Sequence, residues 1–554
     1  MNTPYDWSHD YRHPTPWNQP FEALSLPDML AASVAKGGDA AMLDFMGRRF
    51  SYAEVANGAA RVARGLQLLG IGKGSRVGLF LPNVSHYVAA YYGALAIGAT
   101  VVNFSPLYTP HELEAQVEDS GTDTLFTISA AALLPTALEV LDGSSLKRLV
   151  VGSIAGGLPP AKSLLYRLFK RSETAPLPVD PRVIRFSALI DNDGRPDPVA
   201  IDAGRDVALI QYTGGTTGTP KGAKLTHQNL TANARQVNSI DPDHDAGDRI
   251  LGVLPFFHVF ANTCVLNRTV LNGGTITMLP RFDAKGALAA ITRTKATALP
   301  GVPTMYQALL DHPDLARTDF SSLRVCISGG APMPAELREK FIAATGASLV
   351  EGYGLTESSG VVATNPYDGP VKPGTIGQPI PATHIRLLDR DDPTKDAPAG
   401  EPGELAVKGP QIMQGYWNRA DADAESFTAD GWLRTGDVAA IDADGYIRIV
   451  DRLKDMIAVG GFKVYPSVIE AHLHQHPGVK EAIVLGVPDA YRGESPKAFV
   501  TLEDGFHLTG DELANWLNPQ LGKHERVQAV EVRDSLPKTM IGKLDRKALR
   551  AETL

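Results

Sequence analysis

The sequence predicts an α/β protein with a large N-terminal domain of helix-covered sheets and a small α+β domain at the C-terminus. Short β-branched runs alternate with helical patterns through most of the chain, which is typical of parallel sheets covered by helices. This character changes at residues 448–466, where a charged cluster and a glycine pair separate two apolar stretches. A chain of 554 residues with 44% hydrophobic and 21% charged residues is long enough for several domains.

The alternation is clearest between residues 76 and 152. RVGLFLP at residues 76–82 predicts a buried strand, and SHYVAAYYGALAIG after it predicts a helix. TVVNFSP, a helical stretch from His111, DTLFTI and LKRLVVG then continue the rhythm. Strands that alternate with helices in this way indicate βαβ units and a parallel sheet.

The C-terminal region has another pattern. The strand-like runs EAIVLGV and PKAFVTL precede a helix that Thr509 opens, and VQAVEVR predicts a further strand. About a hundred residues of this kind make a small domain. We therefore place the boundary after residue 451, which gives domains 1–451 and 452–554.

Charge and composition exclude several classes of protein. The net charge of −9 and the pI near 5.9 argue against a nucleic-acid binder. The two cysteines, Cys264 and Cys326, have no metal-site spacing and predict reduced, buried thiols. The first twenty residues lack the apolar core of a secretory signal, and no apolar run of about 18 residues occurs. We expect a cytoplasmic protein.

One segment, LPPAKSLLYRLFKRSE at residues 158–173, interleaves basic and large apolar residues. A surface helix packed on its domain explains this pattern. The alternative is a weak peripheral contact with the inner face of a membrane, because basic amphipathic helices lie in the headgroup region. The residues concerned are Lys162, Arg167, Lys170 and Arg171 with Leu164, Leu165, Leu168 and Phe169.

The stretch YTGGTTGTPKGAKLTH at residues 212–227 has the composition of a phosphate-binding loop. Glycines let successive N–H groups converge on an anion, while the threonine hydroxyls and Lys221 add donors and charge. A strand that ends near Ile210 and a helix from Gln228 place this loop in a βα unit. The Gly-Lys-Ser/Thr ending of the common ATPase loop is absent, so a different phosphate chemistry is expected.

Four further stretches are weak signals when each is taken alone. Small residues, Gly329 to Pro332, follow the strand-like LRVCISG and allow a flat ring to approach the backbone. EGYGLTE at residues 351–357 offers an aromatic ring, a hydroxyl and a carboxylate. LRTGD ends in Asp437, whose carboxylate can accept hydrogen bonds from the hydroxyls of a ribose. PKTMIGK ends in Lys543.

Together these stretches resemble the adenylate-forming superfamily of acyl-CoA synthetases, luciferases and peptide-synthetase adenylation domains, and in particular bacterial medium- and long-chain fatty acid–CoA ligases. The motifs YTGGTTGTPKGA, GGAP, EGYGLTE, LRTGD, DRLKDMI and PKTMIGK occur in the same order, from about Phe50 to the end of the chain. The resemblance implies a mobile C-terminal lid domain. It also implies a two-step reaction with Mg²⁺, in which a carboxylic acid and ATP give acyl-AMP and pyrophosphate, and CoA then gives acyl-CoA and AMP.

The resemblance also implies roles for individual residues. The catalytic residues would be Lys543, Thr356 and Glu357, and Thr213 and Glu357 would hold the metal. Lys454 would be the hinge of the lid, and Gly460 and Gly461 would line the CoA path. His258 with Phe256, Phe257 and Phe260, and Gly301 with Val302, would line the acyl site. ATP or AMP would contact Thr213, Gly214, Gly215, Thr216, Thr217, Gly218, Lys221, Gly330, Ala331, Pro332, Glu351, Gly352, Tyr353, Thr356, Asp437, Arg452 and Lys543.

Alternatives remain at this stage. Aryl-CoA ligases of the 4-coumarate type share nearly all the motifs, and a dicarboxylate or short acid is a further option, although no basic cluster marks a second carboxylate. Ordinary aromatic core packing is the alternative explanation of Phe256 to Phe260. A luciferase-like oxygenase and a non-catalytic nucleotide-binding scaffold are more remote. No carrier domain follows the motifs, so we expect free CoA as the thiol; a homodimer is expected from the resemblance only.

Overall fold

The computed structural model describes residues 5–213, 220–243, 247–460, 462–489, 491–539 and 544–553. The chain divides into two compact units. We call Tyr11–Thr383 with Lys408–Glu425 the large unit, and Met1–Asp10 with His384–Val407 and Ser426–Leu554 the small unit. The predicted boundary after residue 451 separates a mobile lid from the rest of the chain. Compactness does not test mobility, so this boundary stays a prediction.

The regular elements are numbered in chain order over the described residues. The strands are β1 (Ala41–Phe45), β2 (Arg48–Ser51), β3 (Arg76–Leu79), β4 (Thr100–Asn103), β5 (Thr124–Ile128), β6 (Arg148–Gly152), β7 (Val183–Arg185), β8 (Val207–Thr213), β9 (Lys221–Thr226), β10 (Arg249–Gly252), β11 (Thr275–Met278), β12 (Ala298–Gly301), β13 (Val325–Ser328), β14 (Ser348–Tyr353), β15 (Ala363–Thr364), β16 (Gln378–Pro379), β17 (His384–Leu388), β18 (Gly403–Lys408), β19 (Leu433–Ile441), β20 (Ile447–Arg452), β21 (Ile457–Val459), β22 (Phe462–Val464), β23 (Val479–Asp489), β24 (Gly493–Leu502) and β25 (Ala529–Val532). The helices are α1 (Leu26–Gly37), α2 (Tyr52–Leu68), α3 (Ser85–Ala96), α4 (Pro110–Ser120), α5 (Leu134–Gly143), α6 (Ile154–Gly157), α7 (Pro160–Phe169), α8 (Phe186–Leu189), α9 (His227–Ser239), α10 (Val259–Ala261), α11 (Arg268–Asn272), α12 (Ala284–Thr294), α13 (Pro303–Leu310), α14 (Ala335–Thr345), α15 (Ala420–Ser426), α16 (Pro466–Leu473), α17 (Gly510–Leu517) and α18 (Arg546–Thr553).

Two largely parallel sheets form the large unit. One has the strand order β16-β15-β14-β13-β12-β10-β11-β1-β2, and its strands from β14 to β1 are all parallel. The other has the order β7-β6-β5-β3-β4-β8-β9 and is parallel from β7 to β8. The predicted helix-covered parallel sheets are thereby confirmed.

Helix α3 shows why an apolar stretch interrupted by tyrosines is a core helix. Its tyrosine rings are fully buried, and their hydroxyls have polar partners. Tyr87 donates to Asn103 at 2.9 Å and Tyr92 donates to Asn267 at 3.0 Å. A buried hydroxyl needs such a partner, so these contacts hold α3 against the neighbouring strands and helices. Across the described ranges, no helix has both the length and the apolar character that crossing a membrane requires.

The small unit contains a four-stranded antiparallel sheet, β17-β18-β19-β20, and a five-stranded sheet in which β25 lies beside β24. Helices α16 and α17 contribute Ile469, Leu473, Leu513 and Leu517 to the core of the second sheet. Thr509 caps α17, because its hydroxyl accepts from the Glu512 N–H while the Glu512 carboxylate accepts from the Thr509 N–H. The predicted α+β domain is confirmed.

The phosphate-loop region differs from the prediction in one respect. Strand β9 lies between the loop and α9 and pairs antiparallel with β8, from Thr213 opposite Lys221 to Val207 opposite Thr226. The predicted direct passage from strand to helix is therefore wrong, and the loop closes a hairpin. The residues KGAKLT alternate too weakly in polarity to reveal a strand that is buried on both faces.

Candidate active site

Most predicted site residues of the large unit follow neighbouring strands at one edge of the nine-stranded sheet. Strands β10, β12, β13 and β14 are adjacent and parallel, so their carboxyl ends meet there. This edge is where open α/β sheets bind ligands. The residues concerned are Phe257 and His258 after β10, Gly301 and Val302 at the end of β12, Gly330, Ala331 and Pro332 after β13, Glu351, Gly352 and Tyr353 in β14, and Thr356 and Glu357 after it.

The two stretches predicted to surround adenine contact each other. The N–H of Met333 donates to Glu351 Oε1 at 3.4 Å, and Gly330 has a φ of +82°, which favours glycine. Burial raises the pKa of the Glu351 carboxyl to about 7, from an ordinary value of 4.5. Near neutral pH such a carboxyl can therefore be protonated and donate a hydrogen bond, or be ionised and accept one.

On the predicted acyl side, Phe257 and His258 are half-buried, whereas Phe256 is fully buried. The backbone of Phe256 accepts from Tyr87 at 2.8 Å and donates to Asn83 at 2.8 Å, so this residue belongs to the core. The ring of Phe260 lies over Gly329, where an added Cβ would stand 3.1 Å from two ring carbons. Gly301 and Val302 are buried at the end of β12.

The structure describes both ends of the hairpin that is predicted to bind phosphate. Thr213 ends β8, Lys221 begins β9, and the Thr213 hydroxyl donates to the Lys221 carbonyl at 3.4 Å. The predicted phosphate ligands Gly214, Gly215, Thr216, Thr217 and Gly218 lie outside the described residues.

Tyr416 joins this hairpin to the predicted metal ligand. Its hydroxyl donates to Glu357 Oε1 at 2.6 Å, and the Lys221 ammonium lies 5.3 Å from the centre of its ring. Backbone hydrogen bonds hold Tyr416 in place, because the Lys224 N–H donates to Gly415 at 2.9 Å and the Trp417 N–H donates to Gly222 at 2.7 Å. A carboxylate, a phenol and an ammonium are thereby brought together at the start of β9.

The donor set fits Mg²⁺. The 3-10 turn Thr356–Ser358, which carries Glu357, contacts both β8 and β9. Hydroxyl and carboxylate oxygens are hard ligands, and one oxygen of Glu357 is not engaged by Tyr416. No group of three or more His, Cys, Asp or Glu side chains that could hold a metal occurs among the described residues. One carboxylate suffices for Mg²⁺, which usually takes its other ligands from water and substrate phosphates.

In the small unit, the two predicted ribose residues form an ion pair. Asp437 in β19 and Arg452 in β20 are cross-strand partners, and Arg452 Nε lies 3.1 Å from Asp437 Oδ1. The Asp437 side chain is buried and that of Arg452 is half exposed. Gly436, with a φ of +72°, makes the turn before Asp437. The pair fixes the orientation of the Asp437 carboxylate.

The predicted hinge and CoA residues lie shortly after this pair. Lys454 is in the turn between β20 and β21, where the Leu453 N–H donates to Gly436 at 2.9 Å and the Asp455 N–H donates to Arg452 at 3.1 Å. Gly460 directly follows β21 and has a φ of +57°. Gly461 and the predicted catalytic Lys543 lie outside the described residues.

Sequence reasoning missed Tyr416. It stands in MQGYWNR, 59 positions after Glu357, and no charge or glycine pattern marks it as part of a site. The pairing of residues 414–417 with β9, together with the Met413 N–H that donates to the Glu357 carbonyl at 2.8 Å, places its hydroxyl on the carboxylate. An aromatic residue directly after a glycine was the one available signal, and it is weak.

Comparison with known proteins identifies relatives that bind AMP, in agreement with the predicted nucleotide-binding residues. The family model of AMP-binding enzymes matches residues 30–417, and that of the AMP-binding enzyme C-terminal domain matches residues 468–543. The chain is 38% identical to the long-chain-fatty-acid–CoA ligase of Bacillus subtilis (strain 168) over 556 residues, covering 100% of this chain and 99% of that protein. It is 37% identical to the feruloyl-CoA synthase of Amycolatopsis sp over 500 residues, covering 90% and 93%.

Among solved structures, ATP-bound MatB from Rhodopseudomonas palustris superposes with a TM-score of 0.83 at 29% identity, covering 96% of this chain and 99% of that chain. The chain therefore belongs to the family of AMP-binding enzymes.

Proposed function

We propose that this enzyme is an AMP-forming fatty acid–CoA ligase for medium- to long-chain acids. It activates the acid with ATP to acyl-AMP and pyrophosphate, and then transfers the acyl group to CoA. The observation that carries the proposal is the edge formed by β10, β12, β13 and β14, where the predicted adenine, acyl and metal residues follow adjacent strands. Relatives named long-chain-fatty-acid–CoA ligase, such as the one from Bacillus subtilis, support the substrate class.

The first step must bring two anions together, since a carboxylate attacks a phosphate. Lys221, the glycine-rich loop before it and Mg²⁺ on Thr213 and Glu357 would offset the phosphate charge, and bound Mg²⁺ supplies a positive charge beside the departing pyrophosphate. Thr356 would donate to the phosphate. Lys543 would bridge the acyl carboxylate and the α-phosphate.

Two sets of residues would hold the nucleoside, one at the adenine base and one at the ribose. Glu351, Gly352 and Tyr353 with Gly330 to Pro332 would surround the adenine, and Asp437 and Arg452 would fix the ribose. The 3.1 Å ion pair between Arg452 and Asp437 supports the ribose role, because it orients a carboxylate that can accept hydrogen bonds from two hydroxyls. Lys454 would act as the hinge between the two half-reactions, and Gly460 and Gly461 would give the pantetheine chain of CoA close access to backbone.

Half-buried Phe257 and His258, with Gly301 and Val302, would line the acyl site. An aromatic acid is the second candidate, favoured by the 37% identity to a feruloyl-CoA synthase. The two candidates differ in the length of the pocket that they need, since a long acyl chain requires a deeper one.

The proposal includes location and assembly. We place the enzyme in the cytoplasm, with a weak peripheral contact with the inner membrane face through residues 158–173, and as a homodimer. The exposed leucines of this segment support the membrane contact. The dimer is supported by family resemblance alone.

An acid panel tests the substrate class. The purified enzyme is assayed for acyl-CoA formation with saturated and unsaturated acids from acetate to oleate, with coumarate and with ferulate. The proposal predicts the highest kcat/KM for acids of medium to long chain. A higher kcat/KM for coumarate or ferulate than for every fatty acid would replace it with the aryl-CoA ligase.

A further inference from the structure

Helix α7 exposes large apolar side chains. Leu164, Leu165, Leu168 and Phe169 are each more than half accessible, and Phe169 is 75% exposed. No residue of α7 is buried. Positions 164, 165, 168 and 169 recur at the spacing of one helix side, so these side chains form a continuous apolar stripe.

The orientation of α7 is the reverse of that of an ordinary surface helix. Such a helix turns its apolar stripe to the core and its polar side to water. In α7 the half-buried positions are the polar Ser163 and Tyr166, whereas the leucines lie outward. Packing of the apolar side on the large unit therefore does not explain the stripe, although α7 is a surface helix of this unit, as one of the two interpretations of residues 158–173 expects.

The helix is held at both ends. The Lys162 ammonium donates to the Met46 carbonyl at 2.7 Å, and the Arg48 guanidinium donates to the Gly156 carbonyl at 2.7 Å. Beyond the helix, the Ala131 N–H donates to the Glu173 carbonyl at 2.9 Å. The stripe is thus presented by a fixed element rather than by a loose tail.

Basic side chains surround the stripe. Residues 158–173 carry four basic residues and one acidic residue, Glu173. Arg48 and Arg49, which begin β2 directly after the turn that contacts Lys162, are both exposed and add two basic residues. The chain as a whole has a net charge of −9, so this surface stands out against an acidic protein. An anionic surface would attract this side of the molecule and repel the rest.

We propose that α7 and residues 46–49 bind an anionic phospholipid surface, with the apolar stripe inserted among the headgroups and the basic side chains on lipid phosphates. A second copy of the chain fits the stripe less well, because a symmetric contact would bring the same basic residues face to face. A single amphipathic helix of ten residues gives weak, reversible binding. Each basic side chain near an anionic surface strengthens binding about fivefold.

This surface lies outside the proposed catalytic residues, so it can be tested without reference to the reaction. The full chain is sedimented with vesicles of phosphatidylcholine alone or mixed with phosphatidylglycerol, at low and high salt. We expect binding to the anionic vesicles, weakened by salt, and little binding to phosphatidylcholine. Equal binding to both vesicles, or binding to neither, would overturn the proposal.

Two double variants and one control locate the contact. Leu164→Ser with Phe169→Ser removes half of the stripe, and Arg167→Gln with Arg171→Gln is expected to weaken binding about 25-fold at low salt. Leu68→Ser changes a leucine that is 64% exposed at the end of α2 and should bind as the unchanged chain does. Circular dichroism checks that each variant is folded.

Vesicle binding by both double variants at the level of the unchanged chain would refute the assignment to α7. A concentration-dependent dimer that the serine variant abolishes, without vesicle binding, would instead assign the stripe to self-association. If only the fatty acid assignment is wrong, vesicle binding stays as predicted while the acid panel fails.

Discussion

The hydroxyl of Tyr416 donates a 2.6 Å hydrogen bond to the carboxylate of Glu357, the proposed magnesium ligand. The same ring faces the ammonium of Lys221 at 5.3 Å. Tyr416 therefore contacts two charged side chains of the proposed phosphate site, one of each sign, and can fix the orientation of both.

Tyr416→Phe keeps the ring and removes this hydrogen bond. Partners that orient a metal ligand typically contribute 10- to 100-fold to metal affinity or activity. We expect the Mg²⁺ concentration for half-maximal ATP–pyrophosphate exchange to rise by about tenfold or more. Tyr491→Phe, at an exposed tyrosine of the small unit, is the matched control. An unaltered Mg²⁺ dependence in Tyr416→Phe would show that the hydrogen bond does not position Glu357.

Lys543→Ala tests the proposed bridge between acid and phosphate. Loss of a donor to the transition state lowers the rate of adenylation by roughly 10²–10³. Transfer from preformed acyl-AMP to CoA should proceed as before, because the bridge is needed only in the first step. Lys547→Ala, at an exposed lysine four positions on, serves as control. Equal losses in both half-reactions would refute the role.

Lys454→Pro tests the hinge. Proline fixes φ and so removes rotation at this position. We expect single-turnover acyl-AMP formation to continue and transfer to CoA to stall. Lys454→Ala removes the same side chain but leaves the backbone free, so it should retain most of the transfer. Normal CoA transfer by the proline variant would exclude a hinge at residue 454.

The raised pKa of Glu351 makes stability depend on pH. The folded state holds the proton up to about pH 7, whereas the unfolded chain releases it near 4.5. The stabilisation is therefore complete below pH 4.5 and is lost as the pH rises through 7. The shift corresponds to about 3 kcal/mol.

The side chain that Glu351→Gln introduces cannot ionise, so this variant does not lose stability as the pH rises through 7. Relative to the unchanged chain, its thermal midpoint should rise between pH 5 and pH 8, and Glu401→Gln, at an exposed glutamate, should show no such rise. Because two compact units need not unfold in one step, the midpoint compared is that of the transition which Glu351→Gln shifts. A constant difference between Glu351→Gln and the unchanged chain from pH 5 to 8 would mean that Glu351 is ionised throughout this range.

Local patterns were enough to predict much of the fold. The β-branched runs at residues 76–152 became parallel strands, and Thr509 caps the helix that it was expected to open. The strand-like run before Gly329 to Pro332 is likewise found, as β13. Such features depend on neighbours in sequence, which is why a single sequence reveals them.

Features set by distant pairing were not predicted. Strand β9 exists because Lys221–Thr226 pairs with β8. Tyr416 reaches Glu357 because residues 413–417 pair with β9 and with the Glu357 backbone. The pattern of residues 158–173 showed an amphipathic helix but not which side faces outward. That side is decided by contacts of Lys162 and Arg48 with residues far away in the chain.

The most direct test of the central claim is the identity of the products. The purified enzyme is incubated with ATP, Mg²⁺ and oleate, with and without CoA, and its products are separated by chromatography and followed by phosphorus NMR. We predict AMP and pyrophosphate that depend on the acid, and oleoyl-CoA only when CoA is present. ADP and phosphate, or ATP consumption that ignores the acid, would contradict the account.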